Sequence, residues 1–135
     1  MIKQLISIIT SLILAFPLIC CGVPSTQDIE TAEIEYIRLA PQEAREMMSD
    51  DVIILDVRTQ EEFDVGHIIN AILLPDYEIQ EKAEDILMDK YQTILIYCRS
   101  GRRSEAAARQ LIDMGYTQVF DFGGILDWPG EIILP

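Results

Sequence analysis

Residues 93–104 read TILIYCRSGRRS, and the architecture of the chain follows from them. The first five residues are apolar or β-branched and too few for a helix, which predicts a strand buried on both faces, as in a parallel sheet. A short loop with Gly101 comes next. Apolar residues then recur at helical spacing over 104–114, and Gly115 ends that predicted helix. This order predicts a strand, a loop and a helix in succession.

Similar runs lie on either side of this stretch. Residues 52–57, VIILDV, form a second short apolar run that predicts another buried strand. Weaker strands are predicted over 35–39, 71–74 and 118–121, and helices over 41–48 and 81–88. Strands that alternate with helices indicate an α/β domain with a mostly parallel sheet. Ligands of such sheets bind beyond the carboxyl ends of the strands.

The loop after the central predicted strand begins with a cysteine. Cys98 stands at the carboxyl end of a strand and near the start of a helix, where helix potential and backbone N–H groups favour an anion. Arginine side chains nearby add positive charge, and Gly101 permits a positive φ. A thiol in this setting has a lowered pKa. The candidate nucleophile is Cys98, and the candidate substrate-binding residues are Arg99, Ser100, Gly101, Arg102, Arg103 and Ser104.

Composition narrows the classes of function. The chain has 135 residues, enough for one domain, and a formal net charge of -13, which argues against a nucleic-acid partner. Three cysteines are too few for a disulfide scaffold, and a single histidine makes a histidine-based metal site a poor fit. No metal or organic cofactor is indicated. Three of the ten basic residues fall within positions 99–103, and this local reversal of sign favours an anionic substrate.

Four motifs in order resemble the rhodanese-like (sulfurtransferase) domain family. They are DVR at 56–58 followed by EEF at 61–63, GHIINA at 66–71, the Cys98 loop, and GGILDW at 123–128. The resemblance implies a three-layer α/β fold with a mostly parallel central sheet and helices on both faces. It also implies that Cys98 takes a sulfane sulfur from an anionic, thiosulfate-like donor, becomes a persulfide, and passes the sulfur to a thiol, to cyanide or to a sulfur-accepting protein.

A different class of function fits the same motifs. The domain could be a persulfide carrier without turnover, or a module that binds a partner. The complete loop around Cys98 argues against a domain that has lost its chemistry, but it is equally compatible with a carrier. Repeated turnover with a free acceptor separates an enzyme from a carrier.

Other residues of the motifs receive structural roles. Asp56 and Arg58 lie two apart at a strand end and so leave the same face, and in the family such a pair supports the loop region. His67 is expected to be a turn residue rather than a general base. Trp128 is expected to pack in the core near the loop. The directions of the three loop arginines are not fixed by the sequence, and some of them are free to pair with surface acids.

Loop length and one departure refine the expected substrate. Related phosphatases and arsenate reductases need Cys, five residues and then Arg, which would place the arginine at position 104, where the chain has Ser104. The shorter loop fits a sulfur atom better than a phosphoryl group. Two-domain thiosulfate enzymes of the family carry a basic residue four positions after the arginine that matches Arg58. Here that residue is Glu62, so a donor other than thiosulfate is an open alternative.

The N-terminal segment predicts export. Residues 1–20 have a basic start and an uncharged apolar run from Leu5 to Ile19, too short for a bilayer span but typical of a signal peptide. The following LICC resembles a lipobox with Cys21 as the lipid acceptor; ordinary cleavage or an uncleaved anchor are the alternatives. Residues 21–34 then form a flexible acidic tether to a domain over 35–135. We expect an exported lipoprotein that contacts the membrane through its lipid alone.

Overall fold

The computed structural model describes residues 35–135. The strands are β1 (Ile37–Arg38), β2 (Ile53–Asp56), β3 (His67–Ile68), β4 (Ala71–Leu73), β5 (Ile94–Cys98), β6 (Val119–Gly124) and β7 (Ile132–Ile133). The α-helices are α1 (Pro41–Met47), α2 (Gln60–Val65), α3 (Ile79–Ile86) and α4 (Arg102–Asp113), and single 3₁₀ turns cover Asp76–Glu78 and Ile125–Asp127.

Five strands form one parallel sheet in the order β1-β6-β5-β2-β4. The central strand β5 is buried along its whole length, as expected of a strand with neighbours on both edges and helices on both faces. Strands β3 and β7 pair separately as a short antiparallel ribbon, with His67 opposite Ile133. The carboxyl ends of β2, β5 and β6 therefore meet at one edge of the sheet.

Alternate side chains of β5 enter two separate cores. Ile94, Ile96 and Cys98 pack with the buried residues of α3 and α4, whereas Leu95 and Tyr97 pack with Ala44 of α1 on the opposite face. This alternation follows from the two-residue period of a strand. The chain therefore has the expected three-layer α/β architecture, with a parallel central sheet and helices on both faces.

The predicted elements are present, with shifted bounds. The expected strands over 35–39 and 71–74 are shorter, and the one over 118–121 extends to Gly124. The helix expected over 81–88 spans Ile79–Ile86. The helix expected over 104–114 starts two residues earlier, so Arg102 and Arg103 lie in its first turn and not in the loop. The prediction missed α2 and the ribbon of β3 and β7.

The predictions for the N-terminal segment fall outside the described residues. The signal peptide over 1–20, lipid attachment at Cys21 and the tether over 21–34 stay predictions. Within residues 35–135, no helix is both long enough and apolar enough to cross a membrane.

Candidate active site

Cys98 is the last residue of the central strand and lies directly before α4. The side chain is buried, with 1% of its surface exposed, and the Gly101 N–H donates to its Sγ at 3.1 Å. Gly101 has φ +103°, a left-handed conformation that glycine adopts without steric cost. This turn folds the loop back over the thiol, so backbone N–H groups converge on the sulfur.

The surroundings of Cys98 favour its thiolate. Burial raises the pKa of the thiol, but hydrogen bonds from the loop and from α4 lower it by more, so the net shift is downward. The donors are the backbone N–H groups of Ser104, Ser100 and Gly101, together with the Ser104 hydroxyl. That hydroxyl has a single proton, and in the structure it faces two carbonyl oxygens. The Gly101 N–H is therefore the donor within hydrogen-bond distance of the sulfur, and the Ser100 and Ser104 N–H groups add to the lowering of the thiol pKa.

Ser104 ties the loop to the neighbouring strand. Its buried Oγ lies 2.9 Å from the Gly101 carbonyl oxygen and 3.2 Å from that of Gly123 on β6. The loop also rests directly on Gly124, because a Cβ there would overlap the Arg99 carbonyl oxygen. The Cys98 loop therefore packs directly against the end of β6.

The three arginines at positions 99, 102 and 103 have different environments. Arg103 donates to both carboxylate oxygens of Glu62, at 2.7 and 2.8 Å. The Arg103 hydrogen bonds lower the pKa of Glu62 to about 2, and the same carboxylate raises the pKa of Arg103. Arg99 and Arg102 are exposed and make no ion pair within residues 35–135. Two free cations and one paired cation therefore surround the loop.

Asp56 and Arg58 form a buried ion pair at the end of β2. Arg58 Nη2 lies 2.6 Å from Asp56 Oδ2 and donates to the Gly66 carbonyl oxygen at 2.7 Å. The guanidinium also covers the Tyr97 ring, 5.6 Å from its centroid. Burial lowers the pKa of Arg58, but the hydrogen bonds and charge of Asp56 raise it by more. Neither side chain contacts Sγ; the pair joins β2 to β5 and to the end of α2.

An open cleft of about 340 Å³ lies beside the loop. Its apolar side chains come from the end of α2 and from the 3₁₀ turn after β6, and its charged side chains come from β2, α2 and the loop. The lining residues are Arg58, Glu61, Glu62, Val65, Arg99, Ile125 and Leu126. The cleft therefore offers both an apolar surface and the free Arg99 guanidinium next to the cysteine.

The two aromatic candidates of the motifs lie away from the sulfur. The His67 ring stacks on Phe63 at 3.7 Å, and its Nδ1 lies 3.0 Å from the Phe63 carbonyl oxygen. Trp128 packs against Phe122 at 5.3 Å between ring centroids and belongs to the core on the α1 face. These contacts give both rings packing roles.

Sequence reasoning missed two acidic residues near the loop. It treated Glu62 only as a departure from a pattern, whereas the side chain caps α2 and pairs with Arg103. The spacing of Thr59 and Glu62 is that of a capping box, a signal that was readable. It gave no role to Asp121, which is buried behind the loop. Within residues 35–135, no three acidic, histidine or cysteine side chains form a metal-binding group.

Comparison with known proteins identifies the family. The model of the Rhodanese-like domain matches residues 40–131. The chain belongs to the rhodanese-like domain family. Thiosulfate sulfurtransferase PspE of Escherichia coli is 38% identical over 73 residues, which are 54% of this chain and 70% of that protein. Thiosulfate sulfurtransferase GlpE of Coxiella burnetii is 34% identical over 95 residues, 69% of this chain and 87% of that protein.

A solved structure described as rhodanese with anions from E. coli superimposes with a TM-score of 0.59 and 33% identity. The superposition covers 62% of this chain and 99% of the E. coli rhodanese chain. The shared fold agrees with the parallel sheet and the two helical layers described above. This rhodanese-like domain thus has named sulfurtransferases among its relatives.

Proposed function

We propose that this rhodanese-like domain is a sulfurtransferase that carries sulfane sulfur as a Cys98 persulfide. The observation that supports the proposal is the hydrogen bond from the Gly101 backbone nitrogen to the buried Cys98 Sγ at 3.1 Å, together with the lowered pKa of that thiol, to which the Ser100 and Ser104 N–H groups contribute. Amides that stabilise a thiolate also stabilise the terminal sulfur of a persulfide, since both are anions. The exposed guanidinium groups of Arg99 and Arg102 are placed to attract an anionic donor.

The reaction has two displacement steps at sulfur. The Cys98 thiolate attacks the sulfane sulfur of a donor such as thiosulfate, a bond to Sγ forms, and sulfite leaves with the electron pair of the broken S–S bond. An acceptor thiolate or cyanide then attacks the outer sulfur. The bond between that sulfur and Sγ breaks, and its electron pair returns to Cys98 as the thiolate. The loop N–H groups stabilise the negative charge on sulfur in both the thiolate and the persulfide form of Cys98.

Intact mass of the domain over 35–135 tests the first step. Incubation with thiosulfate or a polysulfide should add one sulfur atom to the wild-type domain, and cyanide should remove it. Cys98→Ser should show no gain with either donor, because an alcohol is a far weaker nucleophile than this thiolate. Far-UV circular dichroism of Cys98→Ser should match the wild type. A sulfur adduct on the folded Cys98→Ser domain would refute the proposal.

Turnover separates the enzyme from the carrier. With excess donor and free thiol acceptor, an enzyme forms many equivalents of product per domain. A carrier accepts one sulfur and then stalls until its own partner is added. A burst of one equivalent followed by no further product would support the carrier and contradict the enzyme.

The proposal includes attachment to a membrane through a lipid on Cys21. Its support is the LICC sequence at 18–21, which follows an apolar run. Cells fed a labelled fatty acid should label the full chain and the Cys20→Ala variant, but not Cys21→Ala. Labelling that survives in Cys21→Ala would contradict this assignment.

A further inference from the structure

Asp121 of β6 is a fully buried carboxylate that the sulfur chemistry does not use. Its side chain has no exposed surface, and its register partners are Arg38 on β1 and Ile96 on β5. Ile96 packs with α4, and aligned residues of neighbouring strands project to the same face. Asp121 therefore points toward α4, behind the Cys98 loop.

The hydrogen bonding of this carboxylate is incomplete. Asp121 Oδ1 accepts the Gly123 N–H at 3.0 Å, whereas Oδ2 has no hydrogen-bond donor within residues 35–135. The nearest cation is Arg38, whose Nη2 lies 3.9 Å from Oδ2. A buried carboxylate with so few partners costs free energy, so packing alone does not account for an aspartate at this position.

A chain of contacts leads from Asp121 to the reactive sulfur. The carboxylate holds the amide of Gly123, which has φ +90°. The Gly123 carbonyl oxygen lies 3.2 Å from Ser104 Oγ, and the Ser104 backbone N–H is one of the donors that lower the pKa of Cys98. The Asp121 carboxylate therefore holds the Phe122–Gly123 peptide, and Gly123 in turn contacts Ser104 at the start of α4 through its carbonyl oxygen.

Arg38 reaches the same place from the outer edge of the sheet. Its Nη2 would lie 3.3 Å from a Cβ on Gly101, the residue whose N–H points at Sγ. Its Nη1 lies 3.5 Å from Glu105 in the first turn of α4. The guanidinium therefore contacts the loop, the helix start and the buried carboxylate together.

We propose that Asp121, with Arg38, is a positioning residue that holds the Gly123 peptide and thereby aims the loop amides at Cys98. Neither residue touches the reacting sulfur. The inference rests on the proposed function for its biological meaning, but its test does not depend on sulfur transfer. The readout is the reactivity of the Cys98 thiol itself.

In Asp121→Ala, a pure charge effect and a loss of positioning would shift the pKa of Cys98 in opposite directions. Removing a nearby negative charge alone would stabilise the thiolate and lower the pKa of Cys98. Loss of the hydrogen bond to the Gly123 N–H would instead misalign the loop N–H groups and raise the pKa of Cys98. Apart from residue 121, the charged groups in and around the loop are the same in every Asp121 variant. They are Arg38, Asp56, Arg58, Glu62, Asp76, Arg99, Arg102, Arg103 and Glu105.

The experiment follows alkylation of Cys98 by iodoacetamide as a function of pH in the domain over 35–135. Asp121→Ala should shift the profile to higher pH and slow both alkylation and sulfur loading at neutral pH by about tenfold. Asp121→Asn keeps an oxygen acceptor for the Gly123 N–H and should stay within about threefold of wild type. Arg109→Ala is the control and should match wild type, because Arg109 is an exposed partner of Glu105 one turn further along α4.

The pH profile of a folded Asp121→Ala variant decides the proposal. An unchanged or downshifted profile in folded Asp121→Ala would overturn the proposal. If that variant does not fold, Arg38→Ala replaces it, because Arg38 is mostly exposed, and an unchanged profile there would overturn the proposal equally. Absence of sulfur loading in the wild type with every donor would instead count against the proposed function and leave the alkylation result standing.

Discussion

Glu62 sets how much unpaired positive charge lies near the Cys98 loop, because it pairs with Arg103. Its carboxylate accepts hydrogen bonds from both terminal nitrogens of Arg103, so Arg99 and Arg102 are the arginines near Cys98 that make no ion pair within residues 35–135. Glu61 lines the same cleft but forms no ion pair with Arg103. The two neighbouring glutamates therefore form a matched pair for testing charge.

Glu62→Gln should favour the doubly charged donor. Weakening the ion pair frees Arg103, so we expect kcat/KM for thiosulfate to rise by about threefold to tenfold. Loading by an organic persulfide of lower charge should change less. Glu61→Gln removes the same charge without freeing Arg103, and its effect on thiosulfate should be smaller. A fall in the thiosulfate rate for Glu62→Gln would mean that the glutamate places Arg103 for the donor.

The same ion pair should make stability depend on pH. The pKa of Glu62 is about 2 in the folded domain, against about 4.3 for an ordinary glutamate. The pair therefore stabilises the fold above about pH 4.3, and this contribution is lost as pH falls toward 2. Both side chains are partly exposed, so the gain is on the order of 1 kcal/mol.

Urea unfolding of wild type and Glu62→Gln at several pH values measures this contribution. The difference in the free energy of unfolding should be largest near neutral pH and should shrink below about pH 4. A difference that stays constant down to about pH 2 would show that the glutamine acts through packing or capping and not through charge.

The role of a residue could be predicted from the sequence when its partners lie only a few positions away along the chain. Cys98, Gly101 and the pair of Asp56 and Arg58 act within a few positions, so local motifs were enough to single them out. The ion pair of Arg103 reaches Glu62, 41 positions away, and the sequence pattern did not reveal its direction. Asp121 acts through a peptide on its own strand, but its burial depends on Arg38 and α4, which only the folded chain brings together.

Among the elements, β6 sets the position of the loop through Gly124. An added Cβ at Gly124 would overlap backbone atoms of Arg99 and Ser100, which cannot move aside as a side-chain tip can. Gly124→Ala should therefore displace the loop, destabilise the domain by about 1–3 kcal/mol and slow persulfide formation at least tenfold.

Gly115→Ala is the matched control, measured by thermal unfolding and by sulfur loading. Gly115 has φ +92°, so alanine there is strained, but its Cβ would meet only Lys90 Cδ at 3.8 Å. It should cost about 1–2 kcal/mol and leave sulfur loading unchanged. Equal loading by both variants would mean that contact with Gly124 does not position the loop.

The elements that sequence reasoning missed share a physical property. Helix α2 has six mostly polar residues and a weak apolar period, and its stability comes from the capping box of Thr59 and Glu62. Strands β3 and β7 have two residues each, and their paired residues Ile68 and Ile132 are 64 positions apart. Long apolar runs such as β2 and β5 were found, because burial on both faces leaves a continuous signal.

For the whole molecule, the resemblance and the periodic pattern together predicted the layers, the parallel sheet and the edge that holds the site. They did not predict strand order, because pairing in a parallel sheet joins segments that are distant in sequence. The order β1-β6-β5-β2-β4 places the first strand beside the sixth. The pairing of β1 with β6 leaves no signal in a short stretch of sequence.

This order has a consequence for the timing of folding during synthesis. Ile37 pairs with Phe120, so the first strand of the domain has no sheet partner until β6 has been synthesised and has left the ribosome. Each earlier strand likewise waits for a later segment, since the main sheet contains no antiparallel hairpin. A nascent chain stalled before β6 emerges should therefore remain sensitive to protease, and resistance should arise in a single late step.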